Sequence, residues 1–139
     1  MIHTRQFTIP VYGSKTTVII FDGNWKNVIK KLDKLKFTTT DIKDWEFVYG
    51  LQLSETINRK RCFCTILKQS KDMESFFVHE LWHLTQDILE WKDVTYIRGG
   101  KNEPYAYLHE SIYKKMIPFI REHALAPRTY AKKKRKQKK

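Results

Sequence analysis

Two histidines and a glutamate lie close together in the segment His79-Glu80-Leu81-Trp82-His83. In an α-helix, residues four apart are turned by only about 40° around the axis, so the imidazoles of His79 and His83 project from one face. Both can then reach one tetrahedral zinc ion at about 2.0–2.1 Å. Glu80 lies on the flank of that face, where its carboxylate can accept a proton from a zinc-bound water. The spacing predicts one catalytic-type Zn²⁺ site per chain, with Glu80 as general base.

The chemistry requires a helix at this point, and the apolar residues predict one over 72–91. They recur at intervals of four, three, four and three and form one continuous stripe: Phe77, Leu81, Leu84, Ile88 and Trp91. His79 and His83 fall outside this stripe. We therefore expect a helix that packs centrally and keeps its two histidines away from the core.

A catalytic zinc ion needs a third protein ligand and one open position. The favoured candidate is Glu103, which lies in the first turn of a second predicted helix over 102–124. Ala106, one turn further on, is small enough to let the two helices approach closely. The alternatives that remain open are Glu110, His109 and Asp87. Asp87, one turn beyond His83, is better placed to orient an imidazole by hydrogen bonding than to bind zinc.

Peptide hydrolysis would also need a hydrogen-bond donor for the developing oxyanion. Five side chains in the last predicted helix have suitable chemistry: Tyr105, Tyr107, His109, Tyr113 and His123. The sequence does not rank them.

The rest of the chain predicts the elements that would support this site. Strands are predicted over 5–13, 16–22, 45–53 and 59–68, from β-branched and aromatic residues bounded by turn residues. An amphipathic helix is predicted over 25–35. Asn102 is predicted to cap the last helix, and Pro118 to kink or end it. The order β-β-α-β-β-α-α indicates an α+β fold, with a small sheet packed on two consecutive helices.

The net charge of +12 is unevenly distributed. Residues 128–139 supply eight positive charges and no negative one, which leaves +4 for residues 1–127. We therefore predict one domain over 1–127 and a flexible polybasic tail over 128–139. The tail could bind nucleic acid, a virion protein or another anionic partner, chiefly through a short basic run: Lys132, Lys133, Lys134, Arg135 and Lys136. The small excess of charge in the body predicts no basic patch there.

The composition narrows the class of protein further. A hydrophobic content of 41% is sufficient for a core. No apolar run is long enough to cross a bilayer, so no membrane partner is expected, and no secretory signal is recognisable. The two cysteines, Cys62 and Cys64, are too few for a structural zinc cluster and are expected to be reduced.

The two helical motifs together resemble a family. The segment 79–83, followed by Asn102-Glu103-Pro104-Tyr105-Ala106-Tyr107, resembles the short gluzincin-like metallopeptidases encoded by many tailed bacteriophages. The resemblance covers residues 75–117 and implies a zincin-like fold with the third zinc ligand at Glu103. It also implies that a sheet edge, formed by the strand at 45–53 or that at 59–68, aligns an extended peptide or protein substrate.

Three functions follow as hypotheses. The first is a zinc metallopeptidase of bacteriophage origin, located in the host cytoplasm or in the virion. The second is a virion or accessory protein that keeps the zincin fold without catalysis and binds through its tail. The third is a nucleic-acid-binding protein whose histidines are incidental. The net charge of only +4 over residues 1–127 argues against the third hypothesis.

Overall fold

The computed structural model describes residues 1–9, 12–39 and 48–125. Within these ranges the chain forms a four-stranded mixed sheet and three helices, which confirms the predicted α+β class and element order. The elements are β1 (Ile2–Thr8), β2 (Lys15–Phe21), α1 (Trp25–Lys34), β3 (Gly50–Ile57), β4 (Lys60–Lys68), α2 (Met73–Trp91) and α3 (Glu103–Glu122). The tail predicted at 128–139 lies outside the described residues.

The sheet has the order β1-β2-β4-β3. β1 pairs with β2, and β3 with β4, in antiparallel hairpins, whereas β2 and β4 are parallel and lie at the centre. A parallel pair needs a crossover connection, and the segment containing α1 supplies it. This arrangement leaves β3 at one edge of the sheet.

The β3–β4 hairpin corrects the predicted strand boundaries. The predicted strands at 45–53 and 59–68 leave residues 54–58 for the turn, but Ser54 pairs with Phe63 within the ladder, and the chain reverses at Asn58 and Arg59. Both of these residues have positive φ, 51° and 67°. Positive φ at both positions is the pattern of a two-residue turn whose twist matches the strands it joins. Because the turn needs only two residues, the polar residues 54–56 remain in the strand. Residues 45–47 of the predicted strand lie outside the described part of the chain.

Apolar residues pack on both faces of the sheet. On one face, Ile19 and Ile66 contact α1 through Val28 and Leu32. On the other face, Ile20 and Leu67 pack against the larger cluster formed by α2 and α3. The run Val18-Ile19-Ile20-Phe21 is therefore buried on both sides, as expected of a central strand in a three-layer fold.

The helix α2 follows the first four residues of the predicted stripe, whereas the fifth, Trp91, is 47% exposed at the last residue of the helix and lies outside the core. Phe77, Leu81, Leu84 and Ile88 are fully buried, while the histidine face is turned outwards. No helix in the described residues is long and apolar enough to span a membrane.

Two predictions about α3 need correction. Asn102 precedes the helix, but its side chain hydrogen-bonds to the backbone of Ile97 and Gly100 and not to the first helical amides. Of the two outcomes predicted for Pro118, a kink or the end of the helix, the second does not occur, since α3 continues to Glu122. The last turn is held because Phe119 and Ile120 are buried in the core.

Candidate metal centre

The imidazoles of His79 and His83 converge on the exposed face of α2. Their Nε2 atoms are 3.3 Å apart, and their ring planes are inclined at 71°. Two tetrahedral ligands at about 2.0–2.1 Å from a zinc ion are separated by about 3.3–3.4 Å. The pair therefore already has the spacing of one edge of such a site. Neutral imidazoles at this distance can also share a hydrogen bond, with one ring donating and the other accepting.

Glu80 lies beside the pair but is turned towards the sheet. Its side chain is only 8% exposed, since it packs against Gly50 at the start of β3. A Cβ atom at Gly50 would come within 3.0 Å of Glu80 Cγ and 3.2 Å of Oε1. Burial raises the pKa of this carboxyl, and the neighbouring His79 and His83 partly offset the increase. A raised pKa makes the carboxylate a better proton acceptor near neutral pH.

A groove runs between α2 and the edge strand β3. We call it the Glu80 groove; it has a volume of about 430 Å³ and is lined by Tyr49, Gly50, Ser75, Phe76, His79 and Glu80. Its wall is aromatic, because Tyr49 and Phe76 stack with ring centroids 5.0 Å apart and planes within 13°. Lys68 Nζ lies 5.1 Å from the centroid of the Tyr49 ring. The groove thus combines the candidate base, one candidate ligand and an apolar wall.

The edge of the sheet beside this groove is β3. Both sides of β4 are paired, with β2 and with β3, so of the two predicted strands only the one now placed at 50–57 can accept a further strand. Within the described residues no strand pairs with the outer side of β3. As far as the described residues go, the outer backbone groups of β3 are therefore available to hydrogen-bond to an extended chain.

The third-ligand candidates are not gathered around the histidines. In the described part of the chain, no group of three His, Cys, Asp or Glu side chains is arranged to hold a metal ion. Glu103 is exposed at the first residue of α3, and Glu110 is exposed and paired with Lys114 at 2.7 Å. Glu103 precedes the buried Tyr105 by two residues, which turns it about 160° away around the helix axis. Ala106 is also exposed and does not form the close contact expected of it.

His109 is half-buried on the side of α3 that contacts α2. Its ring is 6.0 Å from that of Trp82, which also contacts Tyr105. Burial lowers the pKa of His109, so that the neutral imidazole is favoured. Its buried Nδ1 atom has no hydrogen-bond partner among the described residues.

Asp87 is half-buried on α2, one turn beyond His83. Burial, followed by Glu90, raises the pKa of Asp87, while Arg61 and His83 oppose the rise. Asp87 and His83 therefore interact electrostatically. No hydrogen bond between Asp87 and His83 is present in the described structure, so the predicted orienting contact is not formed directly.

The five candidate oxyanion donors differ in their contacts and in their exposure. Tyr105 is buried and donates to the carbonyl of Val94 at 3.2 Å, and Tyr113 donates to Glu74 at 3.4 Å. His123 stacks on His3, with centroids 3.9 Å apart, at the β1 edge of the sheet. Tyr107 is 67% exposed. Of the five candidates, His109 alone combines partial burial with an unpartnered polar atom in the described residues.

Four groove residues were not identified from the sequence: Tyr49, Gly50, Ser75 and Phe76. A signal was present for one of them, since a glycine within a strand pattern indicates close approach of another group. That group is the side chain of Glu80.

No protein-family model matches this sequence, and comparisons with curated proteins and with solved structures give no significant match. The family resemblance of the two helical motifs is therefore an interpretation of those residues alone.

Proposed function

We propose that this chain is a zinc-dependent peptidase of the zincin type. The observation that supports this best is the 3.3 Å separation of the His79 and His83 Nε2 atoms, beside a buried carboxylate that packs against β3, the edge strand of the sheet in the described residues. Two imidazoles at a tetrahedral spacing suit zinc, and an adjacent carboxylate that is not itself a ligand suits a proton acceptor.

In this proposal His79 and His83 hold the ion, and zinc when bound supplies Lewis acidity and an acidified water. Glu80 accepts the proton of the attacking water and delivers it to the leaving amine. Glu103 is the proposed third ligand, from α3. Because Glu103 is exposed and turned from the core, its recruitment requires the first turn of α3 to reorient. His109, Glu110 and Asp87 are the alternatives.

The substrate is proposed to be an extended peptide that pairs with the outer side of β3. Pairing there would place its backbone along the Glu80 groove, next to the histidines. The stacked rings of Tyr49 and Phe76 form the apolar wall of this groove. An apolar or aromatic side chain next to the cleaved bond would pack on them, so we expect peptides with such residues to be preferred.

Metal content and turnover, measured on the same preparations, test the proposal. We expect about one zinc per chain in the parent, strong loss of zinc in His83→Ala, and full zinc with no cleavage of a peptide library in Glu80→Gln. Glu90→Gln is the matched control, because Glu90 is an exposed carboxylate on the same helix. Zinc retention without any cleavage by the parent would refute the peptidase and favour the non-catalytic alternative.

The third ligand can be assigned separately by zinc competition with a chelating dye. Loss of a direct ligand should weaken zinc binding beyond the roughly 10–100-fold typical of outer partners. We expect that loss in Glu103→Gln and not in Glu110→Gln, which removes a nearby carboxylate from the same helix. If His109→Gln gives the large loss and Glu103→Gln does not, the ligand is His109.

A further inference from the structure

A second groove lies at the other end of the sheet from the Glu80 groove. We call it the basic groove. It has a volume of about 520 Å³, and its lining includes five cationic residues and an exposed tryptophan: Lys15, Arg59, Lys60, Arg61, Lys92 and Trp91. Among the described residues that line it there is no aspartate or glutamate. The net charge of +4 for residues 1–127 predicts no basic patch, and this prediction is wrong, because a small total does not say where the charges lie.

The fold explains why cations from separate segments meet here. β2 and β4 are parallel, with Thr16 opposite Phe63, so their amino ends, at Lys15 and Lys60, reach the same end of the sheet. α2 runs back along β4 and ends at this point. The guanidinium of Arg61 consequently lies 5.7 Å from the centroid of the Trp91 ring.

The cationic residues of the basic groove differ in how far neighbouring acidic residues balance their charge. Arg61 donates a hydrogen bond to Thr56 and interacts electrostatically with Glu55 and Asp87, two acidic residues outside the groove lining. Part of its charge is therefore balanced locally. Lys15, Lys60 and Lys92 are exposed, which makes them the better candidates to contact an anionic ligand.

We infer that the basic groove binds single-stranded nucleic acid. Lysines along a concave surface suit a phosphate backbone, and the exposed ring of Trp91 offers a face on which an unpaired base can stack. In a duplex the bases are already stacked on one another and cannot use that ring. An acidic polypeptide would use the cations but would leave the ring without a base.

The first test uses the full chain, so that the tail is present in every protein compared. Binding of a fluorescent oligo(dT) is measured by anisotropy over a range of salt concentrations. The groove variant carries Lys15→Gln, Lys60→Gln and Lys92→Gln; the control carries Lys26→Gln, Lys30→Gln and Lys71→Gln, three exposed lysines elsewhere. The two variants have the same net charge.

Loss of three phosphate contacts should reduce the slope of log K against log salt by about 2. We expect this in the groove variant and a much smaller change in the control. Equal weakening in both variants would assign binding to the tail or to overall charge and overturn the inference.

The aromatic contribution is tested by Trp91→Ala. Loss of one stacking interaction should weaken oligo(dT) binding roughly five- to a hundredfold. Duplex DNA of equal length and polyglutamate should bind more weakly than oligo(dT), and their binding should be insensitive to this substitution. Equal affinity for polyglutamate, or an unchanged affinity of Trp91→Ala for oligo(dT), would overturn the inference. Neither assay depends on zinc or on peptide cleavage.

Discussion

The contact between Gly50 and Glu80 gives a quantitative test of how the candidate base is held. An alanine at position 50 would place its Cβ 3.0 Å from Glu80 Cγ, 3.2 Å from Oε1 and 3.4 Å from Leu67 Cδ2. Carbon atoms pack best at about 3.5–4.0 Å, so the Glu80 side chain must move. Overpacking of this kind costs about 1–3 kcal/mol. We therefore expect Gly50→Ala to lower the free energy of unfolding and to displace the carboxylate.

Introducing Gly50→Ala into a Glu80→Ala protein separates the contact with Glu80 from the general effect on stability of replacing a glycine. In Glu80→Ala the two obstructing Glu80 atoms are gone and only the ordinary van der Waals contact with Leu67 Cδ2 remains, so alanine should stabilise the strand relative to glycine by roughly 0.5–1 kcal/mol. The change in the free energy of unfolding caused by Gly50→Ala should therefore have opposite signs in the parent and in Glu80→Ala. The difference between the two changes is a coupling free energy of about 1–3 kcal/mol. Urea unfolding of all four proteins, with EDTA present to remove any contribution from bound metal, measures it. An identical effect of Gly50→Ala in both backgrounds would refute the reasoning.

Three further predictions concern the framework of the fold. Burial raises the pKa of the Cys64 thiol to about 12, so only about one molecule in ten thousand is thiolate at pH 8; iodoacetamide mapping should find it unmodified in the folded protein, and rapid labelling would contradict this. Arg121, which hydrogen-bonds to Glu74 at 2.8 Å, holds the pKa of Glu74 below its ordinary value of 4.5. A lowered pKa adds stability above about pH 4.5 that is lost as the pH falls through the pKa of the folded state. Glu74→Gln should therefore reduce the slope of the free energy of unfolding against pH on the acid side. An unchanged slope would count against the Glu74–Arg121 pair. Phe77 is fully buried, and Phe77→Ala should cost about 3–5 kcal/mol in urea unfolding; a loss below about 1 kcal/mol would show that the core is not packed as described.

The sequence predicted those features that depend on local pattern. The α2 stripe located the helix and put His79 and His83 on its outer face, because the period of a helix fixes the relative directions of its side chains. The period of two also located β3 approximately. It could not fix where that strand begins and ends, because polar residues such as Ser54 continue a strand when a partner supplies hydrogen bonds.

Features that depend on the rotation or meeting of separate elements were not predictable in this way. Glu103 was favoured as a ligand from its place in the first turn of α3, but which face of α3 meets α2 is decided by burial of Tyr105, Leu108 and Ile112. That burial leaves Glu103 exposed. Likewise, nothing local to Lys15 or Lys60 shows that the two residues meet; the parallel pairing of β2 with β4 determines it.

The two proposed sites share one helix and can be tested independently. Glu80 faces the Glu80 groove and Trp91 lines the basic groove, and at 1.5 Å per residue they are about 16 Å apart along α2. The side chains that hold α2 between them, such as Leu84 and Ile88, are fully buried, so a substitution at one of the two sites leaves the other site in place. Glu80→Gln should therefore bind oligo(dT) as the parent does, and Trp91→Ala should keep its zinc. If each substitution impaired both properties, the two grooves would not be separate sites, and a single function would have to account for both.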